Sequence, residues 1–200
     1  MKKEPKISIH LVNELRIQGQ FDRFMDAYNK IHGTDREYAN TILGCLEISN
    51  SFNKEEKPYL IIGGLAVMAY LYQVNSNAIF EWRGTNDIDI LANKGTAEGI
   101  LKGADYGFRE RLPQKPGSVG SIYVYAKEDN GETTVVGLRE GVEHKDRDIT
   151  NRLLSNSTAI GIFSIPVRVP SLSDLEKLKR AANRSKDRED LRELRKSFKF

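Results

Sequence analysis

A single cysteine, Cys45, stands among the 200 residues. That excludes an intrachain disulfide and any metal site built from clustered thiolates. Histidine is nearly as scarce: His10, His32 and His144 show no ligand spacing, and His144 beside Glu143 reads as a surface residue. No apolar run approaches the roughly 18 residues of a membrane span. The opening MKKEPKISIH lacks the apolar core of a signal peptide, so the expectation is a cytoplasmic protein without membrane partners. Internal repeats and low-complexity linkers are absent too. Charge of one sign is not in great excess: 31 Lys and Arg against 28 Asp and Glu leave +3. That balance permits an acidic partner such as a nucleotide or RNA without demanding one. What is present, 39% hydrophobic and 30% charged residues, suits an ordinary globular protein with a real core.

The hydrophobic spacing divides the chain into three regions. Residues 1–55 read as helical, with a soft break at Gly19, a stop at His32-Gly33, and a capping box at Thr34 and Glu37 opening a helix to about Phe52. Residues 56–170 read as a mixed α+β core. It starts with the wholly apolar strand YLII (59–62), a glycine pair and an apolar helix over 65–73. A strand DIDIL, a short helix over 96–102 and a Pro/Gly-rich loop LPQKPGSVGS follow. A hairpin of 122–126 with 133–138 is expected around Asn130-Gly131. The charged stretch REGVEHKDRDITNRLLSNS supports no assignment, and Pro166 marks the strand region 160–169 as an edge. Residues 171–200 read as a Ser171-capped helical region docked on the core, divisible into two helices that meet near Asn183.

The segment RGTNDIDIL (83–91) is unusual, because strands disfavour aspartate and this one carries two. Side chains two apart in a strand share a face, about 6.5 Å between Cα atoms. Asp87 and Asp89 therefore point one way while Ile88 and Ile90 enter the core. Carboxylates that close repel, and a divalent cation removes the conflict; Mg²⁺ is the natural candidate, with Mn²⁺ as an alternative. Taken alone, such a pair is more often a solvated strand face. Gly63 and Gly64 open a helix directly after a buried strand, where bare backbone and free first-turn N–H groups attract phosphate. Arg83 adds a cation and Thr85 a hydroxyl. Together these parts suit phosphoryl or nucleotidyl transfer, in which the protein mainly positions groups and stabilises charge. Tyr70 and Tyr72, on the helix after the glycines, read as packing residues.

The pattern YLIIGGLAVMAYLYQ…RGTNDIDIL resembles the signature of the polymerase-beta-like nucleotidyltransferase superfamily, with its glycine pair, spacer helix and Asp-x-Asp. Its GGxAv…RxTxDiDi form looks like the abortive-infection toxin (AbiEii-like) branch and its small relatives. The block SLSDLEKLKRAANRSKDREDLREL is similar to that branch's C-terminal pattern, with Lys179, Ala182, Arg184, Lys186, Asp187 and Asp190 on matching positions. The resemblance implies a small mixed sheet flanked by N- and C-terminal helices. It implies an NTP held by Gly63, Gly64, Arg83, Thr85 and Lys179, and a metal held by Asp87 and Asp89. The acceptor would be a hydroxyl of RNA, tRNA included, or of a protein, and an antitoxin-like protein is an implied partner. Catalysing members carry a third carboxylate on a neighbouring strand in a context like R-V-D-L. Here the equivalent strand is TTVVGLR, and that position falls on Val136 or Gly137. Glu140 is the candidate substitute, with Glu143, Asp146 and Asp148 further candidates. Without a third carboxylate, the alternative is a non-catalytic module that binds nucleotide, RNA or a protein.

Overall fold

Three helices open the chain in the computed structural model, which describes residues 7–112, 121–129, 131–144 and 147–198. α1 (Ile9–Ile17) is capped by Ser8, and Gly19, at a φ of +64°, turns the chain into α2 (Phe21–His32). The capping box expected at Thr34 does not form. The Asp35 carboxylate instead accepts from the Tyr38 amide and caps α3 (Arg36–Lys54), while the Thr34 hydroxyl donates to the Ile31 carbonyl. A carboxylate at that position also complements the positive end of the helix.

The sheet follows, with β1 (Tyr59–Ile62), α4 (Gly63–Val74), α5 (Ala78–Glu81), β2 (Asp87–Ala92), α6 (Lys94–Gly103), β3 (Gly107–Leu112), β4 (Ile122–Asp129) and β5 (Glu132–Arg139). Its order is β1-β2-β5-β4-β3. β2 and β5 run parallel and the other neighbours antiparallel, so the sheet is mixed and the class is α+β, as expected. The two faces differ in chemistry. On one, Tyr59, Ile61, Ile88, Ile90, Val136 and Leu138 join a large apolar cluster with α3 and α4. On the other, Leu60, Ile62 and Leu91 meet Ile149 and Leu153 in a small one. β1 is thus buried on both sides, which accounts for its unbroken apolar run.

The unassigned charged stretch contains the two-residue strands β6 (Glu143–His144) and β7 (Arg147–Asp148), then α7 (Thr150–Ser155). Strand β3 was also not legible: it is a sheet edge whose side chains face water, so no apolar alternation marks it. Most of the LPQKPGSVGS loop, Asn130 of the expected hairpin turn and Asp146 lie outside the described residues. β8 (Thr158–Ile162) and β9 (Ile165–Val169) form a separate hairpin in which Pro166 sits opposite Gly161. α8 (Leu172–Ala182) ends at Asn183 in a left-handed conformation, and α9 (Ser185–Ser197) follows. Leu175 and Leu194 join the large cluster and Leu178 packs against the small one, so these helices are docked. No helix among the described residues is long and apolar enough to cross a membrane.

Helix α3 crosses the sheet at Gly44, where an added Cβ would meet the Tyr106 hydroxyl, with Ile88 Cδ1 at 3.0 Å and Thr134 Cγ2 at 3.2 Å. Alanine favours helix over glycine by about 1 kcal/mol, yet overpacking a tight contact costs about 1–3 kcal/mol. Gly44→Ala should therefore lower the urea midpoint, whereas Gly99→Ala on α6, with nothing within 4 Å of its added methyl, should raise it. Equal shifts of the same sign would refute this placement of α3.

Candidate active site

Strand β2 begins at Asp87, which is exposed, and its second aspartate, Asp89, is half-buried with 24% of its side chain accessible. The Thr85 hydroxyl donates to Asp87 Oδ1 at 2.6 Å. Thr85 therefore fixes a carboxylate. Asp89 lies between Ile62 of β1 and Gly137 of β5 in the register of the sheet. Gly63 is needed on two counts: its φ is +72°, and a Cβ there would stand 2.7 Å from Asp89 Oδ2. At Gly64 a Cβ would approach the Trp82 ring at 3.0 Å and Thr85 at 3.3 Å. Gly63 and Asp89 are thus brought together, with Asp87 two residues earlier on the same face of β2. Helix α4 starts at that turn without a side-chain cap, leaving its first-turn N–H groups to other acceptors.

The electrostatics centre on Asp89. Burial pushes its carboxyl above the usual range and the Asp87 charge adds to that; the Arg139 guanidinium and Lys186 ammonium oppose it. Arg139 Nη2 lies 3.5 Å from Asp89 Oδ1. Neither Arg139 nor Lys186 was assigned to the site from the sequence. Arg139 is two residues after Gly137 on a strand whose register with β2 only the fold reveals. Lys186 and Arg184 stand in the R-x-K-D block, and that spacing was their one signal. Arg184 feels both aspartates, but its own raised pKa comes first from its hydrogen bonds to Asp187.

On β5 the position beside Asp89 is Gly137, whose Cβ would be 3.0 Å from Asp89 Oδ1; Val136 faces the opposite, fully buried side. Glu140, the candidate third carboxylate, is not brought to the pair. It follows β5, and its charge acts on Tyr125, which pairs with Val136 on the far face. Asp148 accepts from the Thr150 amide and hydroxyl. The Glu143 side chain and Asp146 are outside the described residues. Among the described residues no group of three His, Cys, Asp or Glu side chains could hold a metal, so the pair stands as two carboxylates.

Arg83 and Lys179, expected to hold the nucleotide, meet carboxylates of the C-terminal helices. Arg83 donates from Nε and Nη2 to the two oxygens of Asp190, at 3.1 and 3.0 Å. The Lys179 ammonium is buried between Asp190 Oδ2 at 2.6 Å and Asp187 Oδ1 at 3.2 Å. Lys179 does point inward from α8, but it meets carboxylates there, because an ammonium taken out of water needs opposite charge at contact. Burial pushes Asp187 up, yet hydrogen bonds from Arg184 and Lys179 outweigh it and hold its carboxyl at about 2. This network ties the C-terminal helices to the segment that leads into β2. It also places Arg184 and Lys186 on the aspartate side.

Removing one partner of a buried ion network costs about 3–5 kcal/mol, because the remaining charge is stranded. Lys179→Ala should lose that much in urea unfolding. Arg180→Ala should lose under about 1 kcal/mol, since its partner Glu176 and Arg180 itself both reach solvent. For Asp89 the sign is reversed: a raised folded pKa means that ionisation weakens the fold as pH rises through that value. Asp89→Asn should therefore raise Tm at neutral pH and leave it unchanged below the unfolded-state pKa near about 3.9. A gain that persists in strong acid would assign it to packing instead.

No family model matches the sequence, and no curated protein does. Two solved structures are similar to part of this chain. The antibiotic-resistance factor ANT(2'')-Ia, solved in solution, is 18% identical over 76% of this chain and 80% of that one, with a TM-score of 0.49. A protein of Thermotoga maritima named as a candidate nucleotidyltransferase is 14% identical over 76% of this chain and 89% of that one, with a TM-score of 0.48. The chain is an α+β protein whose five-stranded mixed sheet, flanked by helices, carries two aspartates on one strand and holds the second, Asp89, against a glycine turn.

Proposed function

We propose that the protein transfers a nucleoside monophosphate from an NTP to an acceptor, with Mg²⁺ at Asp87 and Asp89. The observation that carries this reading is the contact of the Asp89 carboxylate with the Gly63 turn, with Asp87 on the same strand face. Two carboxylates fit Mg²⁺, which commonly takes one or two of them and completes its octahedron with substrate phosphates and water. Mn²⁺ suits the same donors. When bound, the ion would neutralise charge on the triphosphate. The chain's own residues supply the rest. Gly63 and Gly64 let phosphates approach the backbone at the N-terminus of α4, Thr85 holds Asp87 in place, and Arg184 and Lys186 offer positive charge opposite the carboxylates. The sequence resemblance to the polymerase-beta-like superfamily supports the same reaction. It adds RNA or protein as acceptor and an antitoxin-like protein as partner.

A second reading, a module that binds nucleotide, RNA or a protein without turnover, is favoured by Gly137 standing where a third carboxylate would meet Asp89. The two readings share the ligand and differ in the product.

Mg²⁺ with an NTP at about a hundred times Kd should stabilise the fold by about 2.7 kcal/mol, seen as a rise in Tm. Asp87→Asn combined with Asp89→Asn should leave the apo fold at least as stable and abolish the rise. A rise that survives the double substitution would put the nucleotide elsewhere. Incubation of labelled NTPs with total tRNA or protein, with and without Mg²⁺, separates turnover from binding.

A further inference from the structure

The side of the site formed by β5 has a chemistry of its own. Beside Asp89 the strand offers Gly137, which has no side chain, and then Arg139 on the same face, its guanidinium 3.5 Å from Asp89 Oδ1. Ile122, opposite Arg139 on β4, walls the same side and would lie 3.9 Å from a Cβ at Gly137. A hydroxyl acceptor needs a group to take its proton in the transition state. Among the described residues, no third carboxylate, thiol or imidazole joins the aspartate pair. A carboxylate engaged with a cation is a poor base, and a guanidinium is none at all. What Arg139 can do is grip an anion, since its planar fork matches phosphate with two parallel hydrogen bonds.

From this arrangement we infer that the acceptor is a phosphate monoester held by Arg139, in place of the hydroxyl that the sequence suggested. This rests on the nucleotidyl-transfer reading above and names its second substrate. A phosphate monoester has its second pKa near about 6, so at neutral pH its oxygen is already a nucleophile. One acceptor oxygen forms a bond to the α-phosphorus of the NTP. The bond from that phosphorus to the α–β bridging oxygen breaks, and pyrophosphate leaves with that oxygen and the bonding electrons. The product is a phosphoanhydride. No proton leaves the acceptor, so the step balances without a base. Once a cation satisfies Asp89, Arg139 loses its intramolecular partner and is free to take the acceptor next to the reacting centre. Arg184 and Lys186 remain for the triphosphate.

The test supplies α-labelled NTP and Mg²⁺ with four acceptors. These are an oligoribonucleotide with a 5′-phosphate and a blocked 3′ end, the same oligonucleotide with a 5′-hydroxyl, a nucleoside 5′-monophosphate, and inorganic phosphate. Label should enter an anhydride on a phosphate-bearing acceptor and stay off the hydroxyl oligonucleotide. Which acceptor takes it distinguishes a nucleic-acid end from a small metabolite or the free ion. The rate should climb as pH passes about 6 and level above it. In calorimetry, Arg139→Gln should weaken phosphate-acceptor binding about tenfold or more, as loss of a charge-assisted pair does, while NTP binding changes little. Arg139→Lys should keep part of the affinity. Label on the hydroxyl oligonucleotide, or acceptor binding unmoved in Arg139→Gln, overturns the inference. NTP binding without transfer to any phosphate overturns it too, but leaves the nucleotide-binding reading standing. Failure to bind NTP overturns both.

Discussion

The Asp89 carboxylate is held against a backbone. Its oxygens come so near Gly63 and Gly137 that neither position has room for a side chain without displacement. One half-buried charge therefore dictates a glycine on each flanking segment and a left-handed turn at the start of α4. It also attracts the cations that surround it. Because burial and Asp87 both oppose its ionisation, the arrangement is costly as it stands. Costs of this kind persist at sites where a ligand relieves them.

The second organising element is the ion network behind the site. Asp190 accepts from both Arg83 and Lys179, and Asp187 from both Lys179 and Arg184. Each buried carboxylate thus has two cations, and the buried ammonium has two carboxylates. That mutual satisfaction is what makes burial of so much charge tolerable. It also fixes direction, because hydrogen bonds from planar guanidinium forks define angles as well as distances. Apolar contacts of Leu175 and Leu194 alone would hold α8 and α9 on the core while allowing them to slide. The network fixes α9, at whose start Arg184 and Lys186 stand close enough for their charges to act with those of the aspartates.

Features governed by local chemistry were legible in the sequence. The paired aspartates stood out because they violate strand preference, and the glycine pair because it interrupts an apolar run. The α+β class followed from the same periodicities. What depended on long-range pairing was hidden. A cation four residues before Asp87 can reach a phosphate or a distant carboxylate, and nothing near Arg83 announces Asp190. Lys179 was hidden for the same reason. Arg139 escaped notice because its relation to Asp89 exists only through the parallel pairing of β2 and β5. Glu140 looked attractive by proximity in sequence, yet in a pleated strand the next residue belongs to the other face.

The Arg83–Asp190 contact joins residues 107 positions apart. During synthesis the glycine turn, the aspartates and all five strands of the main sheet leave the ribosome well before Asp190 does. Until then Arg83 has no carboxylate to close upon, and the segment that feeds Thr85 and Asp87 into β2 is unclamped. Assembly of the site thus waits on α9. A chain broken off before that helix would carry every aspartate and glycine of the site but neither Asp187 nor Asp190, and so would leave Arg83, Lys179 and Arg184 without the carboxylates that clamp them.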